Sequence, residues 1–245
     1  KAPKARGDLR TLQLGDLEFL KLFDFICKEN NLTYWLDGGS LLGSVRHNGF
    51  IPWDDDIDVA MLREDYNKIG EIFKKALPSN KFEINYGKGF YNKVTRIIFK
   101  NSPFQIDIWP FDKYYTKIEG KEAELELYKK VNKCNKELWT KCSADKVFKG
   151  EIPFPSKELE TLIHQNINTP PCNCPSAADF SNPTLFRGPE VLFETPCVFQ
   201  FEDIFPLTEH IFEDIKLPVP GNYKKYLERW FNDYMEFPKT KITGH

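Results

Sequence analysis

A stretch of 26 residues between Leu36 and Met61, LDGGSLLGSVRHNGFIPWDDDIDVAM, constrains the fold of this chain more than any other segment. It predicts a strand that ends in Gly38-Gly39-Ser40, a short helix that begins at Ser40, and a second strand that carries Asp56 and Asp58. Glycines allow a backbone to approach a ligand closely, and a helix start directs unpaired N–H groups towards it. Alternate residues of a strand share a face, so the two carboxylates point the same way.

Paired carboxylates beside an opening suit Mg²⁺ or Mn²⁺ bound together with a phosphate. The layout therefore predicts a site for phosphoryl or nucleotidyl transfer. An EF-hand loop that starts at Asp54 would need Gly and Glu where the chain has Val59 and Asp65, so that alternative fails. A sugar-nucleotide glycosyltransferase also uses Asp-x-Asp, but it does not need Gly-Gly-Ser ahead of it. A solvated acidic turn leaves the mutual repulsion of four aspartates within five residues unexplained.

Three parts of the sequence resemble a known family. The order Gly-Gly-Ser, Asp-x-Asp and a later lone Asp resembles the nucleotidyltransferase fold, and the string GGSLLGSVRHNGFIPWDDDID is similar to the LicD/fukutin family. The segment FQIDIWPF at 104–111 resembles the family's third-carboxylate strand. Phe-Pro-Leu at 205–207, Leu-Pro-Val-Pro at 217–220 and Asp-Tyr-Met at 233–235 resemble its C-terminal signature. The resemblance covers residues 12–112 and 198–238.

The resemblance implies a mixed α/β fold of the nucleotidyltransferase type. We expect a single catalytic domain over residues 11–245, with 113–197 as a cysteine-bearing insertion and 1–10 flexible. Members of this family transfer phosphocholine or ribitol phosphate from CDP-linked donors onto glycans. The expected reaction is therefore attack by an acceptor hydroxyl on a CDP-alcohol, with Mg²⁺ or Mn²⁺ as cofactor.

The third carboxylate is predicted to be Asp107. In a strand over 104–109, Phe104, Ile106 and Ile108 share the core face, which leaves Asp107 on the other face, where it can join Asp56 and Asp58. The family implies that these three bind the metal, or that the third accepts the proton of the nucleophile. Candidate donor and phosphate ligands are Gly38, Gly39, Ser40, Arg46, Lys93 and Arg96. For the basic residues, a solvated surface position stays open.

Composition limits the other possibilities. The chain has 245 residues, of which 41% are hydrophobic, so it can bury a sizeable core in one domain. A net charge of −2 argues against a general nucleic-acid binder. No stretch approaches 18 apolar residues, so no membrane span is expected. The chain begins at Lys1, which suggests processing or trimming, and an anchor could be missing.

Six cysteines bear on stability and location. Cys27 lies on the apolar side of a predicted helix and is expected in the core. The other five are clustered in the middle segment: Cys134, Cys142, Cys172, Cys174 and Cys197. Such clusters indicate disulfides or a structural Zn²⁺ site, and free thiols stay open. A disulfide-bearing chain indicates the Golgi or secretory lumen, and the alternative is the bacterial cytoplasm at the membrane surface.

Two other functions remain open from the sequence. An enzyme of the same fold could transfer a nucleoside monophosphate from a nucleoside triphosphate, with pyrophosphate as the product. A catalytically inactive scaffold or interaction protein is the other alternative. The expected partners are a CDP-linked donor and a glycan or glycoconjugate acceptor, without nucleic acid.

Hydrophobic periodicity predicts the element order. Helices are predicted at 12–30, 40–47, 63–77, 120–141, 157–166 and 222–235. Strands are predicted at 33–37, 56–61, 81–86, 91–99, 104–109, 198–201 and 210–217. The stretch 168–197 contains six prolines and is predicted to be a long loop.

Overall fold

The main sheet is organised around one long strand that carries the predicted third carboxylate. The computed structural model describes residues 3–86, 95–115, 118–142, 156–167, 183–191 and 198–237. The strands in chain order are β1 (Trp35–Leu36), β2 (Asp58–Leu62), β3 (Phe82–Tyr86), β4 (Thr95–Phe99), β5 (Gln105–Tyr114), β6 (Thr184–Arg187), β7 (Val198–Gln200), β8 (Thr208–Phe212) and β9 (Ile215–Val219). The helices are α1 (Gly7–Glu29), α2 (Gly38–His47), α3 (Arg63–Ala76), α4 (Gly120–Lys141), α5 (Ser156–Asn166), α6 (Phe201–Ile204) and α7 (Tyr223–Phe231).

Strand β5 joins three pairs of strands in a seven-stranded sheet. One side of β5 pairs in parallel with β2, and β1 lies beyond β2. On the other side, the first half of β5 pairs with β4, which pairs with β3. On this same side, the second half of β5 pairs with β6, which pairs with β7. Strands β8 and β9 form a separate hairpin.

Two hydrophobic clusters fill the interior. The larger one contains the apolar face of α1, with Leu20 and Phe23 fully buried, together with side chains of β2 and β5. The smaller one lies between α4 and α5 and includes Leu138 and Leu159. Phe186 of β6 belongs to the smaller cluster, so β6 connects it to the main sheet. No helix among the described residues is both long and apolar enough to span a membrane.

The expected α/β class is confirmed, and most predicted elements are present. Strands β2 and β5 carry Asp58 and Asp107, whereas Asp56, predicted on the same strand as Asp58, precedes β2. The antiparallel series β3, β4 and β5 follows the predicted order. The long charged helix was predicted with the bounds it has, 120–141. Cys27 is buried in the main cluster, as expected.

The structure corrects several boundaries. Helix α1 begins at Gly7, so residues 7–10 are helical rather than loose. Helix α2 begins at Gly38 rather than Ser40, because the carboxylate of Asp37 accepts the Gly38 N–H. The predicted strand at 210–217 is a hairpin with strands on either side of residues 213–214.

Part of the middle segment belongs to the main sheet. Residues 184–187, predicted as loop, form β6 within the main sheet. Cys134 is a buried free thiol in the smaller cluster, and Cys142 is also a free thiol. Cys172, Cys174 and Cys197 lie outside the described residues. The disulfide or zinc hypothesis for them stays a prediction.

The hairpin is fastened to the N-terminal helix by one buried carboxylate. Arg10 donates to both oxygens of Glu213, at 2.9 and 2.8 Å, and Lys4 forms an ion pair with the same carboxylate. The Arg10 and Lys4 hydrogen bonds oppose desolvation and lower the pKa of Glu213 to about 2. The carboxylate is therefore ionised across the physiological pH range and fastens the hairpin to α1.

Glu213→Gln should lower the melting temperature by several degrees at pH 7, because the amide cannot replace a doubly paired carboxylate. A lowered folded-state pKa adds stability above the unfolded value, which lies between pH 4 and 5, and this stability disappears as the pH falls towards 2. The difference between the two proteins should therefore shrink from pH 5 to pH 3 in thermal unfolding followed by circular dichroism. Glu209→Gln, at an exposed site on the same hairpin, is the control; an equal effect there would contradict the assignment.

Candidate active site

Three carboxylates meet where β2 and β5 lie side by side. Asp58 and Asp107 are register partners on the two parallel strands, and Asp56 precedes β2 by two residues. One oxygen from each of the three lies within 4.8 Å of the others. The structure therefore brings together the three aspartates that were predicted as metal ligands.

Asp107 is held by an arginine from the neighbouring strand. Arg96 on β4 is its register partner, and the guanidinium donates to Oδ1 at 2.8 Å and to Oδ2 at 3.0 Å. Burial raises the pKa of Asp107, and Arg96 opposes that shift. The pKa of Arg96 is raised by the same contact. Arg96 thus lies in the site, as predicted for a phosphate ligand, but its guanidinium already binds a carboxylate.

Asp58 is fixed by two hydrogen bonds. The indole Nε1 of Trp109 donates to Asp58 Oδ1 at 2.7 Å, and the backbone N–H of Asp58 donates to Ser40 Oγ at 2.9 Å. Desolvation and the charges of Asp56 and Asp107 raise the pKa of Asp58 well above its usual range. Ser40, predicted to bind phosphate, therefore accepts a bond from a candidate metal ligand, and its own hydroxyl proton remains available for donation.

The residues present fit a hard divalent cation. Three carboxylate oxygens within 4.8 Å are the donors that Mg²⁺ and Mn²⁺ prefer, and without a cation they oppose one another's ionisation. Asp54, Asp55 and Asp56 form a second group of the same kind. Burial, Asp56 and Asp55 raise the pKa of Asp54 to about 7.

The two glycines provide room for carboxylates. A Cβ on Gly38 would lie 2.8 Å from Asp58 Oδ2, and a Cβ on Gly39 would lie 2.8 Å from Asp54 Oδ2. Gly38 also has a positive φ of 48°, which penalises any residue with a Cβ. The sequence predicted that these glycines allow a phosphate to approach. The structure gives them a further role, because the acidic side chains pack directly against the start of α2.

Helix α1 contributes two buried polar residues near the site that sequence reasoning missed, one bonded to the acidic loop and one to β5. Gln13 donates to the carbonyls of Ile51 and Asp54, at 3.1 and 2.9 Å. Asp16 accepts the N–H of Gln105 at 3.2 Å, and burial, reinforced by Asp56 and Asp55, raises its pKa to about 8. Their polar character on the apolar face of an amphipathic helix is the signal that could have identified them.

A second missed set lies behind the glycine turn. Asp37 is fully buried and accepts hydrogen bonds from Gly38 N–H at 2.8 Å and from Tyr226 Oη at 2.7 Å. Its other oxygen forms an ion pair with Arg187 of β6. These contacts join the start of α2 to β6 and to α7.

Arg46, a predicted phosphate ligand, binds another part of the chain. Arg46 is 8% exposed, and Nη1 donates to the carbonyls of Tyr234 and Glu236 at 3.0 and 3.3 Å, so it binds the C-terminal segment. Burial lowers its pKa. Lys93 lies outside the described residues.

The part of the chain that contains the three carboxylates matches a known family. A family model described as LicD/FKTN/FKRP, nucleotidyltransferase domain, matches residues 31–170. This match includes β2, β5 and all three carboxylates and spans more than half of the chain. The chain belongs to the LicD/FKTN/FKRP family.

Curated relatives match over shorter stretches. The lipopolysaccharide cholinephosphotransferase LicD of Haemophilus influenzae is 46% identical over 65 residues, which are 26% of this chain and 24% of that protein. The ribitol 5-phosphate transferase FKRP of Mus musculus is 31% identical over 95 residues, which are 33% of this chain and 17% of that protein. FKRP of Homo sapiens is 30% identical over a stretch of the same length. The chain thus spans at most about a quarter of the length of these relatives.

Gly38→Ala should lose clearly more unfolding free energy than Gly7→Ala. Both glycines have positive φ, 48° and 61°, so both variants carry backbone strain of about 1 kcal/mol. No atom lies within 4 Å of the position of an added Cβ at Gly7. An added Cβ at Gly38 must displace the Asp58 carboxylate from its hydrogen bond with Trp109. Urea unfolding of both variants measures the difference. Equal losses would show that Asp58 moves aside without cost.

Proposed function

We propose that this chain catalyses metal-dependent transfer of a phospho-alcohol, either ribitol phosphate or phosphocholine, from a CDP-linked donor to a hydroxyl of a glycan acceptor. The observation that carries the proposal is the meeting of Asp56, Asp58 and Asp107 at one point in a chain of this family. The printed names of the relatives, a cholinephosphotransferase and a ribitol 5-phosphate transferase, support the class of group transferred.

The proposed cofactor is Mg²⁺ or Mn²⁺, held by Asp56, Asp58 and Asp107. When bound, the ion supplies positive charge that offsets the charge on the transferring phosphate. Arg96 adds a fixed positive charge beside Asp107, at 2.8 Å from its carboxylate. The N–H groups at the start of α2 add partial positive charge on the same side as Asp58, which packs against Gly38.

The proposed chemical step is an in-line displacement at the β-phosphorus of the CDP-alcohol. The acceptor oxygen forms the new bond to phosphorus, the bond from phosphorus to CMP breaks, and the hydroxyl proton passes to a base. The products are a phosphodiester and CMP. Asp107 suits the role of ligand better than that of base, because both of its oxygens accept hydrogen bonds from Arg96, which favours the ionised carboxylate.

Other expectations remain proposals. The two candidate phospho-alcohols and the glycan acceptor follow from the resemblance to the family. The structural Zn²⁺ at the cysteines follows from composition. The relatives include a bacterial and two mammalian proteins, so both the secretory lumen and the bacterial cytoplasm remain open as locations.

The proposal is tested by ligand binding and by the product released. CDP-ribitol, CDP-choline or CDP-glycerol should raise the melting temperature with Mn²⁺ present and much less without it, because ligands that bind the folded state stabilise it. CTP is the comparison that identifies a nucleotidyl-transferring enzyme. Release of pyrophosphate from CTP, rather than CMP from a CDP-alcohol, would overturn the proposed reaction. The absence of any shift would favour a scaffold.

Asp58→Asn should retain the fold but reduce turnover by more than about 100-fold. A loss of this size exceeds the loss of about 10- to 100-fold that is typical when a hydrogen-bond partner of a metal ligand is replaced. The amide keeps the shape of the carboxylate but supplies no charge to a cation. CMP release and thermal unfolding are measured for the same preparations. Asp8→Asn, at an exposed position on α1, controls for the loss of one negative charge. Full activity of Asp58→Asn would remove the basis of the metal centre.

A further inference from the structure

Trp109 is the side chain that directly orients Asp58. It lies on β5 two residues after Asp107, is 8% exposed, and its indole N–H reaches Asp58 Oδ1 at 2.7 Å. An indole N–H can only donate, so this contact holds one oxygen of the carboxylate in place. The other oxygen lies against Gly38. The hydrogen bond from Trp109 therefore sets the orientation of the Asp58 carboxylate.

Arg187 in turn holds Trp109. Its guanidinium carbon lies 4.3 Å from the centroid of the Trp109 ring and 4.8 Å from that of Trp230 on α7. These distances are within the range of cation–π contacts, which are strongest when water is excluded. Arg187 is 5% exposed, so its contacts with both indoles are shielded from solvent.

The same arginine also holds the start of α2. It forms an ion pair with Asp37, which is fully buried and accepts the Gly38 N–H. Loss of Arg187 would leave the charge of Asp37 buried without its charge partner, which would strongly destabilise the fold. The pair therefore holds β6 against the start of α2. Arg187 thus contacts Trp109 directly and is linked to the glycine turn through Asp37.

We propose that Arg187 and Trp109 are positioning residues for the metal centre. Trp109 sets the orientation of Asp58, and Arg187 acts through Trp109 and Asp37. The inference rests on the metal centre of the proposed function. It assigns a role at that centre to β6, which lies in the middle segment 113–197 that the sequence treated as an insertion.

Two substitutions separate the parts of this arrangement. Trp109→Phe keeps an aromatic ring beside Arg187 but removes the N–H that Asp58 accepts. Arg187→Lys keeps a positive charge for Asp37 but loses the flat guanidinium that stacks on Trp109. Both should bind a divalent cation more weakly while the fold is retained. Trp139→Phe makes the same change at a partly buried tryptophan of the smaller cluster, away from the carboxylates.

Mn²⁺ binding, measured by the electron paramagnetic resonance signal of the free ion, tests the proposal without reference to turnover. Each protein is titrated well below its own melting temperature. Trp109→Phe should weaken Mn²⁺ affinity about 10- to 100-fold, as is typical for partners of metal ligands. Arg187→Lys should change the affinity in the same direction, and Trp139→Phe should stay within about twofold of the original protein. Asp58→Asn marks the loss expected when a ligand is removed.

The outcomes distinguish this inference from the proposed function. Suppose that the original protein binds Mn²⁺ and that Asp58→Asn does not. If Trp109→Phe and Arg187→Lys then bind Mn²⁺ as tightly as the original protein, the positioning role is wrong and the metal centre stands. If the original protein itself binds no Mn²⁺, both proposals fail. If one of the two variants does not fold, the other still decides, because each removes a different link to Asp58.

Discussion

The repulsion between carboxylates held close together is the constraint on which this structure depends. Asp56, Asp58 and Asp107 place oxygens within 4.8 Å of one another, and Asp54 and Asp16, with pKa values of about 7 and 8, add further acidic groups nearby. Such a cluster lowers the stability of the fold unless positive charge and hydrogen-bond donors offset it. Arg96 and Trp109 supply part of that compensation. A divalent cation would supply the rest.

The surrounding fold keeps these groups in place with contacts that are distant in sequence. Gln13 from α1 fixes the acidic loop, Arg187 from β6 pairs with Asp37, and Tyr226 from α7 donates to the same carboxylate. The C-terminal elements, the N-terminal helix and the middle segment therefore all contact the frame of the site. These long-range contacts hold the mutually repelling carboxylates together.

Sequence reasoning predicted the parts of the site that have local signals. Asp56 and Asp58 follow a glycine turn, and the alternation around Asp107 places it opposite the core. The resemblance to the family, rather than strand geometry alone, predicted that Asp107 joins the other two. Arg187 has no such signal, because it is a single polar residue whose partner, Asp37, lies many positions away. Gln13 has only a weak one, its polar character on the apolar face of α1. The pairing of β6 with β5 is likewise non-local, which is why residues 184–187 were predicted as loop. Arg46 was predicted to bind the donor's phosphates, but the carbonyls that it binds belong to the C-terminal segment.

The position of the cation is the most direct measure of whether the cluster is a metal centre. Crystals grown with Mn²⁺ and measured near the manganese absorption edge would locate the ion by its anomalous scattering. We expect a peak bounded by the carboxylates of Asp56, Asp58 and Asp107, and we expect Asp58→Asn to abolish it. A peak confined to Asp54 and Asp55, or no peak near either group, would contradict this expectation.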